Sequence, residues 1–208
     1  MDNTVTNTLP KLLKQRIVHT RLFGALVIFL FLFNQPAIGG DTLWNFVSTW
    51  LGFALVLVCV LGRPFCSLFI GGIKNESLMR DGPFSVVRNP LYVFSFIGVV
   101  GIGLQSGVIA LLLVLVGAFV LYYPLVVKKE EEFLLAKFGE PYAQYTREVP
   151  RWIPNLKLWI ESEIIETRPK FVRKTMFDVS VFFLPMIFFH AHAALHNNGI
   201  LPTWFTIP

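Results

Sequence analysis

Long apolar stretches separated by short polar ones dominate the chain. A bilayer core takes about 20 apolar residues per helix, and several stretches approach that length. The first is read from about Leu22 to Phe33, extended backward through Ile17, and it ends at Asn34-Gln35-Pro36. The second covers Leu43 to Leu61 and stops at Arg63-Pro64. The third opens at Pro90 and reaches Leu104, the turn Gln105-Ser106-Gly107 follows, and the fourth covers Val108 to Val127. The fifth runs from Met176 to Leu195. This pattern predicts an all-α fold: a polytopic membrane helical bundle of about five transmembrane helices. A basic leader gives the first stretch the look of a signal peptide, but four more apolar stretches follow it, so it reads as a retained helix.

The polar segments flanking the third and fourth stretches carry the candidate chemistry. A hairpin of two spanning helices returns Gly82–Tyr92 and Lys128–Glu132 to one membrane face, where charge is costly unless it serves a ligand or another charge. Asn89-Pro90 has the grammar of a helix start, Asn at the cap and Pro at the first helical position. Such a start aims N–H groups and a positive dipole end outward, toward a carboxylate or phosphate. Gly82-Pro83 marks a turn, so Leu78 to Val87 is expected as a loop folded back over the bundle. Lys128 to Lys137 extends the fourth helix to Gly139. Successive helical residues point about 100° apart, so at least one of Glu130, Glu131 and Glu132 faces the bundle. Leu156 to Glu166 reads as an amphipathic surface helix.

Composition narrows the class. With 54% hydrophobic and 15% charged residues, a soluble domain would carry more apolar surface than it could hide. The net charge of +5 comes from Lys and Arg that flank the apolar stretches, so they set topology and meet lipid headgroups; nucleic acid is not an expected partner. The loops around Asp41 and Gln105 hold no Lys or Arg, which the positive-inside rule reads as N-terminus cytoplasmic and C-terminus outside. The expectation is a multi-pass protein of a bacterial inner membrane, with both polar clusters and their pocket on the cytoplasmic side. Cys59 and Cys66 read as small packing residues. His192 and His196 stand four apart on one helix without an acidic third ligand nearby, so no metal is expected. Residues 1–208 read as a single membrane domain: N-terminal transmembrane helices over 1–75, a core over 76–154, then a surface helix and an added transmembrane helix over 155–208.

Three runs in order carry a resemblance. They are Gly-Pro-Phe-x-x-x-Arg-Asn-Pro-x-Tyr at 82–92, Glu-Glu-x-x-Leu-x-x-x-Phe-Gly-x-x-Tyr-x-x-Tyr from Glu130 to Tyr145, and Val149-Pro150-Arg151-Trp152-Ile153-Pro154. Over about residues 76–154 the chain resembles the isoprenylcysteine carboxyl methyltransferase family and the related phospholipid methyltransferases, integral membrane enzymes that use S-adenosylmethionine. The resemblance implies a cofactor site built from Glu76, Ser77, Leu78, Met79, Phe84, Asn89, Pro90, Leu91, Tyr92 and Glu130, with Arg88 and Glu131 as candidate catalytic groups. Three departures stand out. Asn89 replaces a His common in relatives and cannot carry a proton, Phe84 replaces a Tyr, and Val126 stands where relatives acting on a prenylcysteine carboxylate place an Arg.

The residue inventory suits methyl transfer. Displacement at a sulfonium needs alignment and a dry pocket rather than a metal. A carboxylate acceptor needs no base, whereas an amine or thiol must lose a proton, for which Glu131 or Glu132 is nearest. The resemblance implies a methyltransferase whose lipophilic acceptor, an isoprenylcysteine-like carboxylate, a lipid or a small thiol or amine, arrives from the bilayer. Two other readings stay open: an NADPH-dependent reductase of the sterol-reductase type, which shares an Arg-x-Pro-x-Tyr arrangement, and a noncatalytic membrane scaffold.

Overall fold

The computed structural model describes residue 25 and residues 43–71, 77–165 and 167–200. Most of the first expected span, and Glu76, lie outside the described residues. In chain order the helices are α1 (Leu43–Ile70), α2 (Pro83–Val86), α3 (Pro90–Gln105), α4 (Ile109–Phe138), α5 (Glu140–Glu148), α6 (Pro169–Ser180) and α7 (Leu184–Asn197). Single 3-10 turns lie at Leu156–Leu158 and Val181–Phe183. Helices α1 and α4 and the run Pro169–His196 are long and apolar enough to cross a membrane, and α3 is a shorter apolar helix. The molecule is a membrane helical bundle.

The tightest packing joins α1 to α3, and small residues make it possible. The buried face of α1 reads Ser48, Gly52, Val56, Cys59, Gly62 and Cys66, spaced three or four apart along one side. A Cβ on Gly52 would lie 2.6 Å from the Gly101 carbonyl oxygen, and one on Gly101 would lie 2.7 Å from that of Gly52. Backbones approach this closely only where side chains are absent, the usual device for helix association in lipid. Gly98 has the same function toward Cys59 and Phe182, which seats the C-terminal helices against the pair.

Two expected boundaries move. Helix α1 passes through Arg63-Pro64 instead of ending there. Pro64 removes one helical N–H, but the helix on its far side is held by packing: Cys66, Ser67 and Phe69 are buried, and the Arg63 guanidinium donates to Ser95 Oγ of α3. The final span starts earlier than Met176, at Pro169, where the Arg168 N–H donates to the Gly71 carbonyl at 2.8 Å and pins the helix start to the end of α1. Pro185, in the first turn of α7, cannot donate to the preceding turn, and the chain tightens to a 3-10 turn at Val181–Phe183.

The amphipathic helix expected over Leu156 to Glu166 does not form; Leu156–Leu158 is a lone 3-10 turn within an otherwise irregular strap. Tertiary hydrogen bonds compete with the helix and win. The Asn155 N–H donates to the Val86 carbonyl at 2.9 Å, the Ile160 N–H to Ser85 Oγ at 3.0 Å, and the Gly82 N–H to the Ile160 carbonyl at 2.8 Å. The strap is thereby stitched to the segment that holds α2, which is itself one buried helical turn inside the expected loop.

At the hairpin tip, Ser106 Oγ accepts from the Val108 N–H at 3.1 Å and donates to the Gly103 carbonyl at 2.7 Å, closing the turn between α3 and α4. Helix α4 continues past Lys128 to Phe138 as expected, and Gly139, with φ at +60°, ends it. The two polar clusters meet, since Asn89 at the start of α3 reaches Glu131 on α4.

Candidate functional site

Glu131 is the centre of the meeting point. It is 8% exposed, on the face of α4 that turns toward the bundle, while Glu132 points outward. Two arginines flank it: Arg88 Nη1 lies 3.4 Å from Oε1, and Arg151 places Nη2 2.6 Å from Oε2 and Nε 3.3 Å from Oε1. Asn89 Nδ2 donates to Oε1 at 3.3 Å. Such a buried carboxylate is tolerable because opposite charge and donors surround it. Donors crowd both of its oxygens, an arrangement suited to holding cations in place.

Asn89 sits at the cap position but its side chain caps nothing. The amide bridges Glu131 and the Arg151 carbonyl instead, the latter at 3.3 Å. The Asn89 carbonyl accepts from the Tyr92 and Val93 N–H groups, and Pro90 has none, so this helix start offers fewer free donors than its sequence promised.

A cleft opens beside the cluster, lined by Ser77, Leu78, Met79, Phe84, Arg88, Asn89, Glu130, Glu131, Leu134, Phe138, Tyr142 and Tyr145, with Ile70 at its floor. Its volume is about 90 Å³. One wall is charged, formed by Arg88, Glu130 and Glu131; the other is apolar and aromatic. The Arg88 Nε is buried and has no hydrogen-bond partner among the described residues. A guanidinium committed to Glu131 on one edge and unpaired on another suits a carboxylate-bearing ligand.

Of the residues read from the sequence, Ser77, Leu78, Met79, Phe84, Arg88, Asn89, Glu130 and Glu131 share this cleft. Three do not line it. Pro90 is fully buried at the helix start. Leu91 packs with Phe69 and Phe84 and borders a separate cavity. Tyr92 turns toward α4, its ring 5.4 Å from that of Tyr123.

From sequence Arg151 carries no role, and Tyr142 and Tyr145 read equally as interface or packing residues and as substrate contacts, although all three stand in the quoted runs. Arg151 completes the ion cluster from the strap. The Tyr145 hydroxyl donates to the Phe84 carbonyl at 2.7 Å, tying α5 to α2. Burial raises the phenol pKa of both tyrosines; the Glu131 charge adds to the effect at Tyr142, and the neighbouring Tyr142 does so at Tyr145. The signal for these residues was their spacing within the runs, but nothing in a one-dimensional pattern says that Pro150-Arg151 returns to Arg88. The structure makes that return with an Arg88 N–H to Pro150 carbonyl bond of 2.9 Å.

Among the described residues, no three His, Cys, Asp or Glu side chains are grouped to hold a metal ion. His192 and His196 pack ring against ring at 4.5 Å.

Comparison with known proteins gives the family. Residues 42–141 match the family model for phospholipid methyltransferase. The chain is 32% identical over 176 residues to the cobalt-zinc-cadmium resistance protein CzcN of Cupriavidus metallidurans, covering 81% of this chain and 80% of the relative. It is 34% identical over 179 residues to the nickel-cobalt-cadmium resistance protein NccN of Alcaligenes xylosoxydans xylosoxydans, covering 82% of each. Over 81 residues it is 32% identical to the protein-S-isoprenylcysteine O-methyltransferase of Schizosaccharomyces pombe, covering 39% of this chain and 34% of that one. No solved structure matches the chain.

Proposed function

The chain belongs to the phospholipid methyltransferase family, and from that premise we propose that it is a membrane enzyme transferring a methyl group from S-adenosylmethionine to a lipophilic acceptor. The observation that carries the reading is the Arg88 guanidinium, fixed by Glu131 at the wall of the cleft with its Nε unpaired. When bound, S-adenosylmethionine supplies a methyl carbon on a sulfonium, whose C–S electron pair leaves on a neutral thioether as the acceptor's lone pair attacks in line.

The residues divide the work of binding. Arg88 holds the methionine carboxylate, and Glu130 faces the amino group or ribose hydroxyls. Phe84, Leu134 and Phe138 form the apolar wall for the adenine. Glu131 is a positioning residue: with Arg88, Arg151 and Asn89 on its oxygens, it orients Arg88 rather than acting as a base. Asn89 cannot move a proton, so the chain's own residues supply alignment and exclusion of water. Ligand pockets usually hold roughly 300–1,000 Å³, and the cleft holds about 90 Å³. To admit the cofactor, side chains at the cleft wall would have to move aside.

The acceptor enters from the bilayer and the cofactor from the cytoplasm, the side on which the positive-inside rule puts the clusters. Two relatives spanning four fifths of the chain are named for metal resistance, which directs the search for the acceptor to membranes of metal-exposed cells. The test is to supply the purified protein with methyl-labelled cofactor and lipid extracts from cells grown with and without cobalt, zinc or cadmium. Label in an extractable lipophilic product, absent with Arg88→Gln, supports the reading. No transferred label with any extract, together with stabilisation by NADPH, would instead favour a reductase.

A further inference from the structure

A second cavity, of about 400 Å³, lies between the ends of α1 and α6 and the start of α3. Its polar lining is Arg63, Ser67, Arg168, Lys174, Thr175 and Asp178. Three cations thus face one carboxylate. Among the described residues neither Arg63 nor Lys174 forms an ion pair, in contrast to Arg88 and Arg151 in the cleft. Arg63 donates to Ser95 Oγ through Nη1, yet its Nε is buried and has no hydrogen-bond partner among the described residues. A guanidinium placed seven residues inside the end of an apolar spanning helix, without an ion pair among the described residues, is costly as it stands.

Other features add to the same polarity. Helix α6 begins at this cavity with no acidic residue in its first turn, so its positive dipole end is unscreened there. Ser67 Oγ and Thr175 Oγ1 bond each other at 2.9 Å, holding α1 and α6 together beneath the cations. The family match ends at residue 141, before α6, so four of the six polar residues, Arg168, Lys174, Thr175 and Asp178, lie beyond it.

We propose that this cavity binds an oxyanion, a phosphate or carboxylate, at the level of the lipid headgroups. Arg63 is the inner ligand, offering the guanidinium N–H groups that Ser95 does not take. Lys174 and Arg168 close over the anion from α6, and Asp178 sets the limit on its charge by standing opposite. The site is separate from the cofactor cleft and does not depend on methyl transfer. The source of the oxyanion is either an anionic lipid headgroup or a soluble anion, and the experiment separates the two.

The experiment is native mass spectrometry of the full chain in a neutral maltoside detergent, titrated with phosphatidylglycerol or phosphatidylcholine of identical acyl chains, and thermal melting with inorganic phosphate. The expected result is about tenfold preference for phosphatidylglycerol, the scale of a charge-assisted hydrogen bond, lost in Arg63→Gln and reduced in Lys174→Gln. Lys174 is exposed, so its variant folds even where Arg63→Gln does not. Stabilisation by phosphate alone, lost in the same variants, also upholds the site and assigns it a soluble ligand. Lys170→Gln, on the same helix but outside the cavity, is the control. Equal retention of both lipids with no phosphate effect would overturn the proposal, as would equal losses in Lys170→Gln and Lys174→Gln, which would reduce the effect to general surface charge.

Discussion

The cleft and the C-terminal cavity lie back to back, with Ile70 on the wall of both. Each contains a partly buried arginine, Arg88 in one and Arg63 in the other, but they treat charge in opposite ways. In the cleft, Glu131 compensates Arg88 and Arg151, so the polar cluster stands by itself and leaves one guanidinium edge for a ligand. In the cavity, Arg63 has a hydroxyl for a partner and two more cations for neighbours. A buried charge with its partner is part of the scaffold, and a buried charge without one marks where a ligand belongs.

Breaking the compensation in the cleft has the largest expected effect. Glu131→Ala leaves two guanidiniums without their shared carboxylate; truncating one member of a buried pair costs about 3–5 kcal/mol, and the half-exposed Arg151 brings the loss here to the low end, about 3 kcal/mol. The outcome is a lowered melting temperature in detergent and loss of stabilisation by S-adenosylhomocysteine. Glu131→Gln, which keeps the shape and some hydrogen bonds, falls between that variant and the wild type.

Next in size is the scaffold beneath both sites. Gly52→Ala puts a methyl group 2.6 Å from the Gly101 carbonyl oxygen, so α1 and α3 must separate. Overpacking of this kind costs about 1–3 kcal/mol, measured as a lower melting temperature. Because the change is remote from either set of charges, both binding activities weaken together, unlike the selective effects of Arg88→Gln and Lys174→Gln.

Smaller effects sharpen the cleft's own architecture. Tyr145→Phe removes the bond to the Phe84 carbonyl and leaves that buried acceptor unsatisfied, at about 1–3 kcal/mol. Alkaline titration reads the burial of the two tyrosines. The folded-state pKa values of Tyr142 and Tyr145 are raised, so the native state keeps protons that the unfolded state gives up. Their contribution is complete below the unfolded phenol pKa of about 10 and is lost as pH rises above it. Melting temperature measured across that range should fall less steeply in Tyr142→Phe and Tyr145→Phe than in wild type. At the bottom of the scale, Arg147→Ala breaks an exposed pair with Glu140 and should shift stability by no more than about 0.5 kcal/mol.

The contrast also shows which parts could be read from the sequence. Helices α3 and α4 were legible because apolar length and the Asn89-Pro90 and Gly139 boundaries are local signals. The convergence of Asn89 and Glu131 followed from the hairpin. The passage of α1 through Pro64 was not legible, because buried neighbours and Ser95, distant in sequence, override a local breaker. The strap departs from the expected helix for the same reason, since the partners of its backbone, Gly82, Ser85 and Val86, lie some seventy residues earlier. Arg151 stood in plain view in the third run, yet only the strap's return makes it a partner of Glu131. The cavity left no trace in the pattern at all: Arg63, Arg168 and Lys174 each read as a membrane-flank charge until the helices bring them together.

The central claim, that the Arg88–Glu131 cleft is a cofactor site, is tested most directly by S-adenosylhomocysteine binding to the purified protein in detergent, with Arg88→Gln and Lys174→Gln measured beside the wild type. Saturable binding is expected for wild type and Lys174→Gln, with a loss of about tenfold or more in Arg88→Gln. Absence of binding by the wild type, or equal affinity in the folded Arg88→Gln protein, would contradict it.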